Sequence, residues 1–128
     1  MGEERGCGPG ENHMTTPVRK INVAVVGVGG TAARWIPRYK EMPEVGEVLI
    51  QDINAERLAA IAQKNGVRAT TSFDEVLASP ADLVEVSTPN EFHLDQTVAL
   101  LRRGKHVICQ KPMSRNVAEG IQMVAAAR

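Results

Sequence analysis

Several whole classes of protein are excluded by what this chain has little of. It holds two cysteines in 128 residues, Cys7 and Cys109. They lie far apart, one in a polar N-terminal stretch and one in an apolar run, which argues against a disulfide framework or a zinc site. Charge of either sign is not in excess: Lys and Arg number 15, Asp and Glu 15. That balance gives no electrostatic footprint for nucleic acid or for an anionic membrane surface. No apolar run approaches the ~20 residues that span a bilayer. The first residues carry no apolar stretch of the secretory kind, so a reducing cytoplasm is the expected compartment. What remains is a chain with 43% apolar and 23% charged residues, long enough for one globular domain and not for two.

Residues 1–19 are polar, glycine-rich and without periodicity, and are expected to form a disordered leader, with His13 and Cys7 solvated and Met14 an alternative start. The domain is expected over residues 20–128. It is organised around Val23-Ala-Val-Val-Gly27-Val-Gly29-Gly30-Thr31-Ala32, an apolar strand that enters a glycine-rich turn and then a helix. In a dinucleotide fold Gly27 makes the tight turn, Gly29 lets the backbone approach a pyrophosphate, and Ala32 lets the helix pack close to the strand. The helix start offers N–H groups and the positive end of a dipole, which suit a phosphate. Alone, the same glycines also read as a flexible turn; the strand before, the helix after and an acid downstream favour the nucleotide site.

The rest of the chain alternates strand and helix. Ile21–Val26 reads as a strand buried on both faces. The following helix carries Trp35, Ile36 and Tyr39, with a kink expected at Pro37. Val48–Gln51 reads as the second strand, closed by Asp52. Asn54 caps the next helix, and Asn65-Gly66 ends it. Val67–Thr71 is a weak third strand. Ser72-Phe-Asp-Glu75 is a capping box. Asp82–Ser87 is the fourth strand, in which Glu85 is out of place. Asn90 is expected to cap a helix that Gly104 terminates; His106–Gln110 is the fifth strand; Ser114 is expected to cap a last helix with Val117, Ile121 and Val124 on one face. This order means an α/β fold, a Rossmann-type doubly wound parallel sheet, whose ligands bind beyond the carboxyl ends of the strands.

Asp52 stands 20 residues beyond Ala32, where a carboxylate accepts hydrogen bonds from the adenosine ribose and repels a 2′-phosphate, so NAD is preferred to NADP. The competing reading is a turn residue ahead of the Asn54 cap. Thr88, Pro89 and Asn90 follow strand four; by local chemistry they are ordinary loop and capping residues. His93, in the first helical turn, reads alone as a surface residue. Lys111, before Pro112, reads equally as an exposed loop lysine or as an ammonium that orients a substrate hydroxyl and passes a proton.

Taken together, Gly27-Val-Gly-Gly-Thr-Ala32, Asp52, Thr88-Pro-Asn90 with His93, and Gly104-Lys-His-Val-Ile-Cys-Gln-Lys-Pro112 resemble the N-terminal domain of the Gfo/Idh/MocA family, over about Ile21 to Arg128. The resemblance implies that Gly27, Gly29, Gly30, Thr31 and Ala32 hold the pyrophosphate and that Asp52 holds the ribose. Thr88, Pro89, Asn90, His93 and Gln110 would line the cofactor cleft. Lys111 would act as the lysine of the family's Glu-Lys-Pro motif, which touches substrate and assists proton transfer. Members of the family move a hydride between a nicotinamide and a sugar or cyclitol hydroxyl. The implied partners are therefore NAD, a sugar or polyol and, for a full-length protein, further copies of itself. Gln110 departs from the pattern by replacing the glutamate before the lysine. The family's C-terminal domain and the last strand of its nucleotide domain are absent from this sequence. The fragment is therefore expected to bind dinucleotide, to turn over little substrate and to associate through its open sheet edge. Two other readings stay open: a free-standing NAD-binding module, and a relative that uses NAD transiently to cleave glycosides.

Overall fold

A computed structural model describes residues 18–128. The expected leader lies outside this range except for its last two residues, and the expectations for Cys7, His13 and Met14 lie outside it entirely. Arg19 is tied to the domain, its guanidinium forking onto the Asp82 carboxylate at 2.6 and 3.2 Å.

Five strands, β1 (Ile21–Val26), β2 (Val45–Gln51), β3 (Arg68–Thr70), β4 (Leu83–Val86) and β5 (His106–Cys109), form one sheet in the order β3-β2-β1-β4-β5. Every pairing is parallel. Five helices connect or follow them: α1 (Ile36–Glu41), α2 (Ala55–Asn65), α3 (Phe73–Ala78), α4 (His93–Arg102) and α5 (Val117–Ala127). The chain starts in the middle of the sheet, works outward to β3, then crosses back and lays β4 on the other side of β1. That reversal opens a crevice at the carboxyl ends of β1 and β4.

The central strand explains the layering. Val23 to Val26 are at most 2% exposed, and their side chains alternate between two cores. Ala24 and Val26 meet Val76 of α3, Val84 and Val86 of β4, and Leu100 of α4. Val25 meets Ile36 of α1, Ile50 of β2 and Leu58 of α2. A continuous apolar run is what a strand covered by helices on both faces needs.

Local chemistry differs from expectation at several helix starts. Pro37 does not kink a helix; it sits in the first turn of α1, where its missing N–H removes no helical bond. The segment next to the glycines, Thr31–Arg34, is a 3-10 turn, and α1 spans only six residues. The helix-dipole term at the glycine turn is therefore small, and the turn's own N–H groups carry any anion contact. Asn54 caps α2 as expected, accepting from the Arg57 N–H at 3.0 Å, and Gly66 ends it at φ +64. The box at Ser72 closes indirectly. Ser72 Oγ accepts from the Glu75 N–H at 3.3 Å, while the Ser72 N–H donates to Thr70 Oγ1 at 3.0 Å and the Thr70 hydroxyl donates to the Glu75 carboxylate. Asn116, not Ser114, caps α5, accepting from the Glu119 N–H at 2.9 Å. Asn90 opens a 3-10 turn ahead of α4 and makes no side-chain cap.

The apolar stripe of α5 faces outward. Val117, Ile121 and Val124 are 78%, 63% and 46% exposed, while Met123 on another side is buried. α5 rests against α4. The Gly-Lys-His-Val run has a structural role: Gly104 ends α4 at φ +77, and the buried Lys105 donates from Nζ to the Ser79 and Ala81 carbonyls, both at 2.8 Å. Those bonds tie the start of β5 to the loop that leads into β4. No helix among the described residues is long and apolar enough to cross a membrane.

Candidate functional site

A cavity of about 490 Å³ opens at the carboxyl ends of β1, β2 and β4. Six of the residues singled out from sequence line it: Gly27, Gly29, Gly30, Asp52, Thr88 and Pro89. They come from three separate loops, which the sheet order alone brings to one crevice.

The three glycines differ in what a side chain would meet. Gly27 has φ +87, and a Cβ there would stand 2.8 Å from the Thr88 nitrogen and 2.9 Å from the Ser87 carbonyl carbon and oxygen. Here the turn that leaves β1 lies against the backbone that leaves β4. A Cβ on Gly29 would meet the guanidinium carbon of Arg57 at 2.7 Å. A Cβ on Gly30 would meet nothing within 4 Å. Among the described residues the N–H groups of Gly29 and Gly30 donate to no protein acceptor. Bare backbone, free donors and a neighbouring guanidinium suit an anionic pyrophosphate. Ala32 lies beneath, fully buried against α1 and β2, and serves the packing role expected of it rather than the cavity wall.

Asp52 is 5% exposed and strongly held. Its Oδ2 accepts from the Val28 N–H and its Oδ1 from the Asn54 N–H, both at 2.9 Å; Arg57 Nη2 lies 3.2 Å from Oδ1. Burial works against the charge, but the Asn54 and Val28 N–H groups and the Arg57 guanidinium outweigh it and hold the carboxyl below its usual range. The carboxylate thus does structural work, locking the glycine turn onto the end of β2, beside whatever it offers a ribose. Arg57 lines the cavity and was missed in the sequence reading. Its signal was the helical spacing from Asn54 that returns its side chain over the turn. Gln96 was also missed; it lines the cavity, and the Thr88 hydroxyl donates to its Oε1 at 2.6 Å, which leaves its NH₂ as a donor.

The remaining candidates sit elsewhere. Thr31, Asn90, His93, Gln110 and Lys111 are not among the residues lining this cavity. His93 is neither at the surface nor on the cleft wall: it is 1% exposed, with Nε2 2.7 Å from the Thr88 carbonyl oxygen and Nδ1 3.0 Å from that of Pro112. Gln110 donates from Nε2 to Glu85 at 3.1 Å. Lys111 is exposed at the end of β5 and is joined to Pro112 by a cis peptide bond.

Residues 21–128 match the family model of the Gfo/Idh/MocA oxidoreductases, described as an oxidoreductase family with an NAD-binding Rossmann fold. The chain belongs to this family. Among curated relatives of this Gfo/Idh/MocA domain, it is 38% identical over 106 residues to the 1,5-anhydro-D-fructose reductase of Ensifer adhaerens, covering 81% of this chain and 32% of that protein. It is 30% identical over 110 residues to the NADP(+)-dependent scyllo-inositol 2-dehydrogenase of Bacillus subtilis (strain 168), covering 84% and 34%. The WlbA dehydrogenase of Chromobacterium violaceum, solved with NADH and UDP-GlcNAcA, superposes with a TM-score of 0.79 at 33% identity over 86% of this chain and 32% of that one. The chain therefore spans about a third of the length of the relatives it matches. It is the NAD-binding Rossmann-fold domain of this oxidoreductase family.

Proposed function

We propose that this domain serves an oxidoreductase that moves a hydride between a nicotinamide cofactor and a hydroxyl of a sugar, cyclitol or related compound, with NAD preferred to NADP. The observation that carries the reading is the crevice between β1 and β4, where the Gly27–Gly30 turn, Asp52 and the Thr88-Pro89 loop share one wall. The relatives support the substrate class: a reductase of an anhydrosugar, a cyclitol dehydrogenase and an enzyme solved with a nucleotide sugar.

The residues fit a dinucleotide. The Gly29 and Gly30 backbone, which among the described residues only the end of the Arg57 side chain approaches, would take the pyrophosphate, with the guanidinium as counter-charge. Asp52 would face the adenosine ribose, where its lowered pKa keeps it an acceptor and its charge opposes a 2′-phosphate. The bound nicotinamide supplies the hydride acceptor or donor. Thr88 and Gln96 would fix the cofactor's path along the β4 exit. Lys111, beyond β5, would orient the reacting hydroxyl and carry its proton.

Calorimetric titration of the chain with NADH and NADPH tests the reading. Saturable binding of NADH that is tighter than that of NADPH is expected. Equal or tighter binding of NADPH removes the preference assigned to Asp52, and no binding of either removes the function.

A further inference from the structure

On the face of the sheet covered by α1, one position breaks an otherwise apolar pattern. Glu85 lies in register between Val25 of β1 and Ile108 of β5, and it is 2% exposed. Three donors converge on it: the Tyr39 hydroxyl at 2.6 Å, the Ser87 hydroxyl at 2.9 Å and Gln110 Nε2 at 3.1 Å. They come from α1, from the exit of β4 and from the exit of β5. All three are set to donate to it, an arrangement that suits a carboxylate, which only accepts. Burying a charge is costly, and a well-packed apolar residue would stabilise a strand at least as well, so such a cluster points to a role other than stability.

The role follows from hydrogen-bond polarity. A carboxylate only accepts, so Gln110 turns its NH₂ toward Glu85. Its carbonyl oxygen then points away from the cluster as a fixed acceptor. Such an acceptor suits a ligand hydroxyl, which has a proton to donate. Beside Gln110 and Glu85 lies a cavity of about 390 Å³, separate from the glycine crevice and walled by Trp35, Arg34 and Thr31. Trp35 is the chain's single tryptophan and is 48% exposed. An open indole face beside a few polar groups suits a hydroxylated ring with one apolar side.

We propose that Gln110 is a substrate-contacting residue whose carbonyl oxygen accepts a hydrogen bond from a hydroxyl of a sugar or cyclitol seated against Trp35. Glu85 is the positioning residue that fixes the amide. This rests on the dehydrogenase reading above and assigns the ring-binding wall on this half of the protein.

The test uses the isotope-labelled chain saturated with NADH and titrated with myo-inositol, followed by NMR at the Gln110 side-chain amide and the Trp35 indole N–H. Both signals are expected to move along one saturation curve. Gln110→Leu is expected to weaken that curve about fivefold to tenfold, the scale of one hydrogen bond, with NADH kept saturating. Glu85→Gln is expected to weaken it similarly, and Glu85→Gln with Gln110→Glu to recover it, because the exchange restores an acceptor at 110; a purely structural role for Glu85 gives no such recovery. Tyr39, the single tyrosine, reports the cluster independently. Burial and the Glu85 carboxylate hold its phenol far above the ordinary value, and Glu85→Gln is expected to bring its absorbance titration down. Signals that stay still while NADH binds, or a curve that Gln110→Leu leaves unchanged, overturn this proposal alone. Loss of NADH binding removes it together with the dehydrogenase reading.

Discussion

Replacing Gly27 by alanine adds one methyl group against the backbone that leaves β4. The new Cβ would stand 2.8 Å from the Thr88 nitrogen and 2.9 Å from the Ser87 carbonyl group. These are backbone atoms, and the Ser87 N–H is itself bonded to the Val26 carbonyl at 2.8 Å, so neither side yields by rotating a side chain. A left-handed φ costs an L-residue about 1–2 kcal/mol. Forcing a methyl group into a packed site costs about 1–3 kcal/mol more. The sum, about 3 kcal/mol, is a large part of the ~5–15 kcal/mol that holds a domain together. For a chain of this size it corresponds to a fall in Tm on the order of 10–20 °C. Gly30→Ala is the control for the steric part, since its φ of −120 is not left-handed and its Cβ meets open space among the described residues. It is expected to stay within about 0.5 kcal/mol of the parent. Thermal and urea unfolding of the three proteins, followed by circular dichroism, gives the comparison. A Gly27→Ala protein within about 1 kcal/mol of the parent, or a Gly30→Ala protein that loses as much, would refute the steric argument.

Other expectations rest on single contacts. Asp52 has a lowered folded-state pKa, so its contribution is fully present above the ordinary carboxylate value near ~4 and is lost as pH falls through the folded value. The difference in urea midpoint between the parent and Asp52→Asn is therefore expected to shrink in acid; a difference that is constant with pH contradicts the assignment. Arg57→Ala removes the cation beside the glycine turn and is expected to weaken NADH binding about tenfold or more, the scale of one charge-assisted hydrogen bond, as read by calorimetry. Lys105→Met leaves the Ser79 and Ala81 carbonyls without their donor and is expected to cost about 2 kcal/mol in urea unfolding. In a full-length protein Lys111→Ala is expected to lower turnover at least ~100-fold at unchanged NAD affinity, and unchanged turnover takes Lys111 out of the mechanism.

The order of elements was legible in the sequence because it rests on local patterns. The unbroken apolar run of β1 and the Asn54 and Gly66 caps of α2 are decided by neighbours a few residues away. The departures come from contacts between distant residues. Glu85 looks misplaced along its own strand and becomes intelligible only beside Tyr39 and Gln110, 46 residues before it and 25 after. Arg57 belongs to the crevice because α2 starts where Asp52 ends, a matter of three-dimensional return. His93 follows the rule for a polar residue in a first turn until two loops close over it. At Pro37 the miss was one of phase: the same residue that breaks a helix interior is welcome in its first turn. The apolar stripe of α5 was found correctly by its period, but a period does not say what the stripe meets.

His93 has a mechanical consequence. One buried ring stands between the carbonyl at the exit of β4 and the carbonyl just past Lys111; a neutral imidazole donates to one of them, and only a protonated ring donates to both. The crevice-side loop and the segment that carries the lysine thus rest on opposite edges of a single side chain.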